Sequence, residues 1–438
     1  MNNVNNELSL TLSPPLVSDR LKSRYYPWIV ISLCAAFLFY KYILQVSPSI
    51  MTSQLMAKFH VNGAGLGVLT ASYFYTYLIA QIFIGPLMDR YSPRLLSAVA
   101  LAVSALGAFG FAMSHDLLTS SVARGLMGFG AAFATVSYLK LAMVWFKPRQ
   151  LAFVSGLLAT AAMVGSMAAQ TPLAFLMSKV GWENSLLYCG TLGLVLTAIF
   201  YAVVRDKNPN AHDEPLHPEA KNVSWRDFFS VLKHKHNWYL MFYSGLAFCP
   251  LAIFGGLWGN PFLEVAHHVT ALEASTLTSM MFLGLALGGP ILGFISDRMG
   301  KRYEIMVVGL ILSFVGLAGV LYLPHLTTFQ VGVGLFVLGF GTGAFMLCFA
   351  VGREVNSVLL AATVIAVINS GDAIFGSFTE PFIGKTLDMF WDGKIVNGAH
   401  YFSVGSYHIA LAILPVYLLI AVVFLVLLRP ACKHVRLL

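Results

Sequence analysis

Twelve apolar stretches of about 20 residues each run through this chain. A helix of that length crosses the hydrocarbon core of a lipid bilayer, which is ~30 Å thick. The composition agrees, because 58% of the residues are hydrophobic and only 11% are charged, whereas a soluble domain has about 25% charged residues. Barrel strands would be shorter and would alternate, so we predict an all-α membrane protein with twelve transmembrane helices. The predicted spans are residues 27–52, 65–88, 95–114, 117–143, 151–177, 185–204, 238–263, 272–296, 304–323, 328–350, 359–387 and 405–428.

A short loop signature occurs twice in the chain. Residues 85–94 follow the second apolar stretch, and residues 293–302 follow the eighth. The aspartates of the two copies, Asp89 and Asp297, lie 208 residues apart, and a Gly-Phe-Gly triplet recurs with an offset of 211. Both offsets are close to half the chain. They indicate two pseudo-symmetric six-helix bundles, an arrangement that is typical of secondary transporters.

The distribution of basic residues predicts the orientation. Of the 27 lysines and arginines, 20 fall in the terminal segments or in connections that share one side of the predicted membrane, and only Lys58, Lys179 and Lys394 fall on the other. Because positive loops stay in the cytoplasm, both termini are expected there, in a multi-pass protein of the bacterial inner membrane. The corresponding division of the chain is a disordered cytoplasmic tail (1–25), a first bundle (26–204), a cytoplasmic linker (205–237), a second bundle (238–428) and a cytoplasmic tail (429–438).

The motifs resemble those of the major facilitator superfamily. Residues 293–302 are similar to its loop signature, and residues 85–94 depart from that signature at Ser92 and Pro93. Residues 124–130, Arg-Gly-Leu-Met-Gly-Phe-Gly, are similar to its fourth-span motif. Three shorter segments, 39–42, 257–261 and 353–356, look like bacterial permeases near the anion:cation symporter branch. The resemblance implies the major facilitator fold and transport by rocking of the two bundles. The glycine and proline motif of drug antiporters is poorly matched, since no Gly-Pro pair follows Gly156 and Gly165.

The two loop copies are candidate gates. A carboxylate in such a turn can face the positive N-terminus of a helix in the other bundle, and that contact can form in one conformation and break in another. The alternative is an ordinary surface turn with weak solvated ion pairs. The predicted gating residues are Gly85, Asp89, Arg90, Arg94, Gly293, Asp297, Arg298, Lys301 and Arg302.

Charged side chains inside the spans are the strongest functional signal, because each is costly there unless it is paired or hydrated. Lys41 lies roughly 21 Å along the first span, and Gln45 follows it on the same helical face. Arg124 lies roughly 10 Å into the fourth span and can bind a carboxylate with two hydrogen bonds. Both are predicted to bind substrate, with structural pairing as the alternative, whereas Lys140 is expected to snorkel to the surface.

Two carboxylates, Asp372 and Glu380, fall in the eleventh span. Each is interpreted either as a proton carrier, since desolvation favours the neutral form, or as the structural partner of Lys41 or Arg124. Aromatic residues complete the predicted pocket, although aromatic side chains in membrane spans more often serve packing. The aromatic candidates for substrate binding are Tyr73, Tyr77, Tyr243 and Trp258.

These observations predict a permease and not an enzyme. The expected solute is small, hydrophilic and anionic or zwitterionic, such as an organic acid, an amino acid or a peptide. The proton gradient is the expected driving force, by symport. Alternatives are a siderophore or drug exporter and, from another class, a non-transporting membrane receptor or scaffold. The five cysteines form no paired motif, so neither disulfides nor a metal site is expected. The remaining expectations are a monomer in the lipid bilayer, without cofactor or nucleic-acid partner.

Overall fold

The computed structural model describes residues 25–146, 148–206, 231–356 and 360–434. Most of the predicted tails and of the predicted linker lie outside these described residues. Within them the chain forms twelve consecutive helical spans, numbered here in chain order. They are span 1 (Tyr26–Ile50), span 2 (Gly63–Arg90), span 3 (Pro93–Ala112), span 4 (Leu117–Trp145), span 5 (Pro148–Val180), span 6 (Trp182–Val203), span 7 (Lys235–His267), span 8 (Ala271–Met299), span 9 (Arg302–Tyr322), span 10 (Thr328–Glu354), span 11 (Ala361–Met389) and span 12 (Val404–His434).

Eleven helical segments of the described chain are long and apolar enough to cross a membrane. Span 11 is the remaining one. It is a continuous helix of 29 residues, but its apolar character is diluted by Asp372, Glu380, Lys385 and Asp388. The twelve-helix architecture is therefore present as predicted. Span 11 carries the most charged residues, and for that reason its mean hydropathy does not mark it as a membrane span.

The spans form two halves, spans 1–6 and spans 7–12. Within each half the spans pack in the same pattern, and the two halves meet mainly where span 2 packs along span 11 and span 5 packs along span 8. Since each half has an even number of spans, residues 25 and 434 lie at the same end of the molecule, here called the terminal face. The other end, called the distal face, holds the connections between spans 1 and 2, 7 and 8, and 11 and 12.

Side-chain caps define where several spans begin. The Asn62 side chain accepts a hydrogen bond from the Gly65 amide at the start of span 2, and the Asp116 side chain accepts one from the Thr119 amide at the start of span 4. Spans 8 and 10 both open with a capping box, built on Thr270 and Thr327. These caps satisfy amide groups that have no partner within the helix, which explains why the boundaries agree with the predicted ones to within a few residues.

Helical irregularities recur at equivalent positions of the two halves. Span 1 ends in a 3₁₀ turn over Ser47–Ile50, and span 7, its counterpart, contains a π turn over Phe254–Trp258. Span 4 is broken after Ala131, and span 10 contains a 3₁₀ turn over Gly343–Met346. Departures of this kind inside long helices are frequent at functional sites and hinges, and they place the adaptable parts of each half near its centre.

A small β-hairpin modifies the all-α expectation. Between spans 11 and 12, strand β1 (Ile395–Val396) pairs antiparallel with strand β2 (Ala399–His400). The turn residues Asn397 and Gly398 both have positive φ, 52° and 80°, as a type I′ turn requires. The His400 ring stacks on Trp391, with ring centroids 3.8 Å apart. The sequence analysis predicted no strand between spans 11 and 12.

Candidate functional site

A cavity of about 40 Å³ lies between the halves, near the middle of the molecule. Both halves contribute to its wall, and the residues that line it come from spans 1, 2, 7 and 11. The lining residues are Lys41, Tyr42, Gln45, Tyr73, Phe74, Tyr77, Phe248, Ala252, Asn369, Asp372 and Ala373. Since a water molecule occupies roughly 10–15 Å³ of such a volume, the cavity has room for a few waters. A solute of several carbon atoms needs the halves to move apart.

Lys41 is the cation of this cavity. Its side chain is only 4% exposed, and its ammonium nitrogen lies 3.5 Å from the Tyr77 hydroxyl, 4.5 Å from the Tyr42 ring centroid and 4.8 Å from that of Tyr77. An ammonium group has three N–H donors. The aromatic ring faces attract its positive charge, which leaves N–H donors available for other hydrogen bonds. The aromatic surroundings therefore hold Lys41 in position while its charge remains directed at the cavity.

Asp372 is the carboxylate of the same cavity and belongs to the other half. It accepts a hydrogen bond of 3.1 Å from the Ser244 hydroxyl, and it interacts electrostatically with Lys41. The described ion pairs within 4.0 Å involve other residues, so the two charges face each other across the cavity without direct contact. Asn369, one helical turn before Asp372, adds an amide group to the lining.

Arg124, the second predicted cation, is only 2% exposed and does not line the cavity. Its guanidinium donates to the carbonyl of Leu44 and, at 2.8 Å, to the carbonyl of Gln45, and it lies 4.9 Å from the Tyr73 ring centroid. These carbonyls sit where span 1 passes into its 3₁₀ turn. Arg124 thus fixes the irregular end of span 1, and its Nε atom has no hydrogen-bond partner among the described residues.

Glu380, the second predicted carboxylate, is likewise 2% exposed and distant from the cavity lining. It interacts electrostatically with Arg124 of the other half and lies beside Thr70. Its Oε2 atom has no hydrogen-bond partner among the described residues. The four membrane charges therefore separate into two couples. Lys41 and Asp372 line the cavity, whereas Arg124 and Glu380 are not part of its lining.

The predicted aromatic residues divide in the same way. Tyr73 and Tyr77 line the cavity, with ring centroids 6.3 Å apart in a stacked arrangement. Tyr243 and Trp258 are buried elsewhere in span 7, and the Trp258 indole donates at 3.3 Å to the backbone carbonyl of Glu380. Six lining residues were not among the predicted site residues: Tyr42, Phe74, Phe248, Ala252, Asn369 and Ala373. Helical spacing could have identified Asn369, which lies three residues before Asp372 in the same helix.

The second copy of the loop signature forms an ionic cluster within its own half. Arg302 donates to Asp297 at 3.0 Å and forms a forked pair with Glu354 at the end of span 10, at 2.5–3.0 Å. Arg298 and Lys301 are exposed beside it, and Gly293 lies in span 8 with open space around it. The described contacts of Asp297 therefore join span 8 to spans 9 and 10, not to the other half.

The first copy is built differently. Asp206, after span 6, accepts from the Ser92 hydroxyl and, at 2.8 Å, from the Arg94 amide at the start of span 3. The Arg94 side chain donates at 2.8 Å to the Tyr201 carbonyl, and Arg90 lies 5.9 Å from the Tyr91 ring centroid. Ser92, which departs from the family signature, thus serves as a helix cap. The side chains at positions 85 and 89 lie outside the described part, so the predicted gating role of Gly85 and Asp89 stays a prediction.

A polar cluster around Gln170 joins the halves on the distal side of the cavity. Gln170 donates to Ser49 at 3.1 Å and to the Gly255 carbonyl at 2.9 Å. Asn260 donates to Gln170 at 2.9 Å and accepts from Thr278 at 2.6 Å. Every amide in this cluster has a partner, as buried polar groups require. The cluster adds uncharged contacts between spans 1, 5, 7 and 8.

The family model described as Major Facilitator Superfamily matches residues 28–259, and the model described as Sugar (and other) transporter matches residues 223–353. A probable L-galactonate transporter of Escherichia coli is 23% identical over 378 residues, covering 79% of this chain and 80% of that protein. The membrane sensor protein UhpC of Salmonella typhimurium is also 23% identical, over 367 residues, covering 77% and 80%.

The solved structures agree on the fold. The crystal structure of a bacterial homologue of the human lysosomal transporter Spinster, described as inward-facing and unoccupied, superimposes with a TM-score of 0.80. The match covers 94% of this chain and 99% of the other, at 17% sequence identity. At that identity the agreement concerns the architecture of two six-helix bundles.

Proposed function

This chain belongs to the Major Facilitator Superfamily of membrane transporters, and from that premise we propose that it moves a small hydroxylated anion together with a proton. The charge of Lys41 in the central cavity is the observation that carries the proposal. A buried ammonium group held by aromatic rings, with donors available to the cavity, is suited to a carboxylate. Gln45, Asn369, Tyr42 and Tyr77 supply the amide and hydroxyl groups that hydrogen-bond to solute hydroxyls.

Proton coupling follows from the charge balance of the cavity. Without solute, one cation and one carboxylate line it, and the two charges offset each other. An entering anion brings a second negative charge close to Asp372 in a site with little water, where like charges repel strongly. Protonation of Asp372 removes that repulsion, so solute and proton are expected to bind together and leave together.

The assignment of the solute class rests on chemistry and on a relative. The cavity offers one fixed positive charge and several neutral hydrogen-bonding groups, which matches a sugar-acid anion better than an apolar drug. The related E. coli protein is described as a probable transporter of L-galactonate, a molecule of this type. We therefore place galactonate and related sugar acids first among the solutes to test.

Uptake into proteoliposomes tests the proposal. With an inward proton gradient, the wild-type protein should accumulate labelled galactonate but not galactose, its neutral counterpart. Lys41→Gln should weaken galactonate binding by about 1.5–3 kcal/mol, the usual contribution of a hydrogen bond to a charged group. The matched control is Lys58→Gln, because Lys58 pairs with Glu183 away from the cavity, at 3.3 Å.

Asp372→Asn separates coupling from binding. The variant cannot release a proton at this position, so accumulation driven by the gradient should be lost while exchange of labelled for unlabelled galactonate continues. Asp392→Asn, on an exposed aspartate of the distal face, is the control and should retain both activities. Full accumulation by Asp372→Asn would contradict the coupling role, and unchanged galactonate binding in Lys41→Gln would contradict the binding role.

One comparison keeps a second candidate function open. The relative described as a membrane sensor protein matches this chain over nearly the same length, and at the same identity, as the probable galactonate transporter does. A receptor is therefore the alternative from another functional class. A receptor would bind the anion with the same dependence on Lys41 but would show no exchange across the membrane. Binding without exchange in the wild-type protein would therefore replace the transport proposal with the sensor one.

A further inference from the structure

A second, smaller cavity adjoins the central one. Its volume is about 10 Å³, close to the space that one water molecule occupies. The two cavities share four wall residues from spans 1 and 7, so they are two compartments of one site. The central cavity is called the main compartment below, and the smaller one the side compartment. The shared residues are Tyr42, Gln45, Phe248 and Ala252.

The two compartments have opposite polarity. The main compartment holds the charges of Lys41 and Asp372, on the side where span 2 packs along span 11. The side compartment lies on the side where span 5 packs along span 8. Four of the five residues that line it but not the main compartment are apolar. These five residues are Val46, Met163, Ser166, Leu251 and Phe282. A solute that fills both compartments therefore places one end among charges and the other among apolar groups.

Ser166 is the polar residue of the side compartment, and its hydroxyl group already has a partner. It donates to the Ala162 carbonyl at 3.1 Å, four residues earlier in span 5. The hydroxyl can accept a further hydrogen bond but has no second hydrogen to donate. Met163, Leu251 and Phe282 are buried and offer no strong hydrogen-bonding group. A solute hydroxyl that enters this compartment therefore loses contacts with water that these side chains replace incompletely, whereas a methyl group loses none.

The length of the site matches a chain of about six carbon atoms. Gln45 lies four residues after Lys41 on span 1, which is roughly 6 Å along the helix. Five bonds of an extended carbon chain also cover roughly 6 Å, because three bonds of an extended polypeptide cover about 3.5 Å. With its carboxylate at Lys41, such a solute brings its middle hydroxyl groups to the Gln45 amide and its last carbon to the side compartment.

We propose that the side compartment binds the end of the solute opposite its carboxylate and selects an apolar group there. Among sugar acids this selects 6-deoxy acids, in which a methyl group replaces the terminal CH₂OH group. The inference rests on the proposed function, because it assumes a carboxylate held by Lys41, and it narrows the solute class of that site. Met163, Leu251 and Phe282 are the specificity-determining residues in this arrangement.

Two matched acids test the proposal. Galactonate and 6-deoxygalactonate differ in one group, the terminal hydroxyl, and their dissociation constants are measured on the purified protein by isothermal titration calorimetry. The wild-type protein should bind 6-deoxygalactonate about tenfold more tightly, as expected when a hydroxyl group is buried without full hydrogen bonding. Lys41→Gln should weaken binding of both acids by the same factor, since the carboxylate is common to them.

Two substitutions at one position give the matched control. Met163→Gln adds an amide group of similar shape to the side compartment, so the preference for the deoxy acid should fall to about twofold or less. Met163→Leu keeps the compartment apolar and should retain the preference. A general loss of affinity cancels in the ratio of the two dissociation constants, so a purely structural role of Met163 would leave that ratio unchanged in both variants.

The outcomes separate this inference from the proposed function. Equal binding of the two acids by the wild-type protein, with Lys41→Gln weakening both, would overturn the role of the side compartment and leave the proposed function intact. A preference that persists in Met163→Gln would also overturn that role, because the methyl group would then bind elsewhere. Binding of neither acid to the wild-type protein would contradict the proposed solute class and this inference with it.

Discussion

The two halves of the molecule have the same helical plan but opposite chemistry where they meet. The first half brings the cations Lys41 and Arg124 to the interface, and the second half brings the carboxylates Asp372, Glu380 and Asp388. Most of the cross-half hydrogen bonds follow the same direction, with donors such as Tyr75 in the first half and acceptors in the second. Duplication thus explains the architecture, and divergence of the two copies explains why the halves attract each other.

Charged residues inside one half make different contacts from those that face each other across the two halves. In the second half, the loop signature forms ionic contacts that join neighbouring spans, as Arg302 does with Asp297 and Glu354. In the first half, Asp206 joins spans 6 and 3 by accepting hydrogen bonds from the Ser92 hydroxyl and the Arg94 amide. Across the halves, the cavity charges Lys41 and Asp372 face each other without direct contact. Direct contacts inside a half join its spans, whereas charges that face each other without contact leave the halves free to move. The following predictions test this division, beginning with the largest expected effect.

The couple of Arg124 and Glu380 should contribute most to stability. Removing one partner of a buried pair leaves the other uncompensated and costs about 3–5 kcal/mol. Arg124→Gln and Glu380→Gln should each lower the stability of the detergent-purified protein by that amount, measured by thermal unfolding. The double variant should lose less than the sum, since the attraction between the two charges is lost in both single variants. Arg124→Gln also removes the hydrogen bonds to the Leu44 and Gln45 carbonyls. A loss under ~1 kcal/mol for Glu380→Gln would indicate that this carboxyl is neutral, and therefore a candidate proton carrier.

Closure of the distal face should require close contact between the backbones of spans 2 and 11. Gly384→Ala places a methyl group against the Gly63 carbonyl, so the distal face cannot close and net transport should fall more than ~tenfold, as expected for a clash of several kcal/mol. Gly156→Ala is the control, because nothing lies within 4 Å of a Cβ atom there. Transport by Gly384→Ala at the control rate would show that spans 2 and 11 have room to separate.

The two loop copies should differ in a milder way. Asp297 is 68% exposed, and exposed pairs contribute about 0–1 kcal/mol, so Asp297→Asn should slow net transport at most about fivefold while the dissociation constant for the solute stays the same. Arg302 retains Glu354 in this variant. Asp89→Asn gives the matched measurement in the first half. If transport rate and affinity were both unchanged in the two variants, the loops would be ordinary turns and not gates.

The orientation of the protein in the membrane decides which face lies in the cytoplasm. A cysteine introduced at Asn397, which is exposed on the distal face, should react with an impermeant reagent added to intact cells. A cysteine at Asn210 should react only after the membrane is opened. Labelling of Asn210→Cys from outside would reverse the orientation and would place the distal face in the cytoplasm.

The sequence predicts the fold more fully than it predicts the site. Runs of apolar residues and capping residues such as Asn62 are local signals, so the spans and their ends could be inferred within a few residues. The face that each span turns to its neighbours is harder to infer, because lipid and protein interior are both apolar and the helical pattern loses contrast. Tyr243 and Trp258 were for that reason expected at the cavity but lie outside its lining.

Long-range contacts account for the rest. Lys41 and Gln45 share a helical face, which local spacing reveals, and both line the cavity. Arg124 was expected to bind solute, but its described partners are carbonyls of a different span, 79 and 80 residues away in sequence. Asp388 meets Gly63 across 325 residues. No spacing rule within one helix encodes such a contact, although the Asn397-Gly398 turn beside it was a local signal that could have been used.

The hairpin after span 11 gives the contact between Asp388 and the start of span 2 an optical reporter. Asp388 lies 3.6 Å from Nδ1 of His400, and the His400 ring stacks on the Trp391 indole. Indole fluorescence is sensitive to a neighbouring imidazole and to the charge that the imidazole senses. A version that retains only Trp391 of the seven tryptophans should therefore change its emission whenever Asp388 leaves the start of span 2. The movement of the halves can then be followed in real time by stopped-flow fluorescence, without an attached dye.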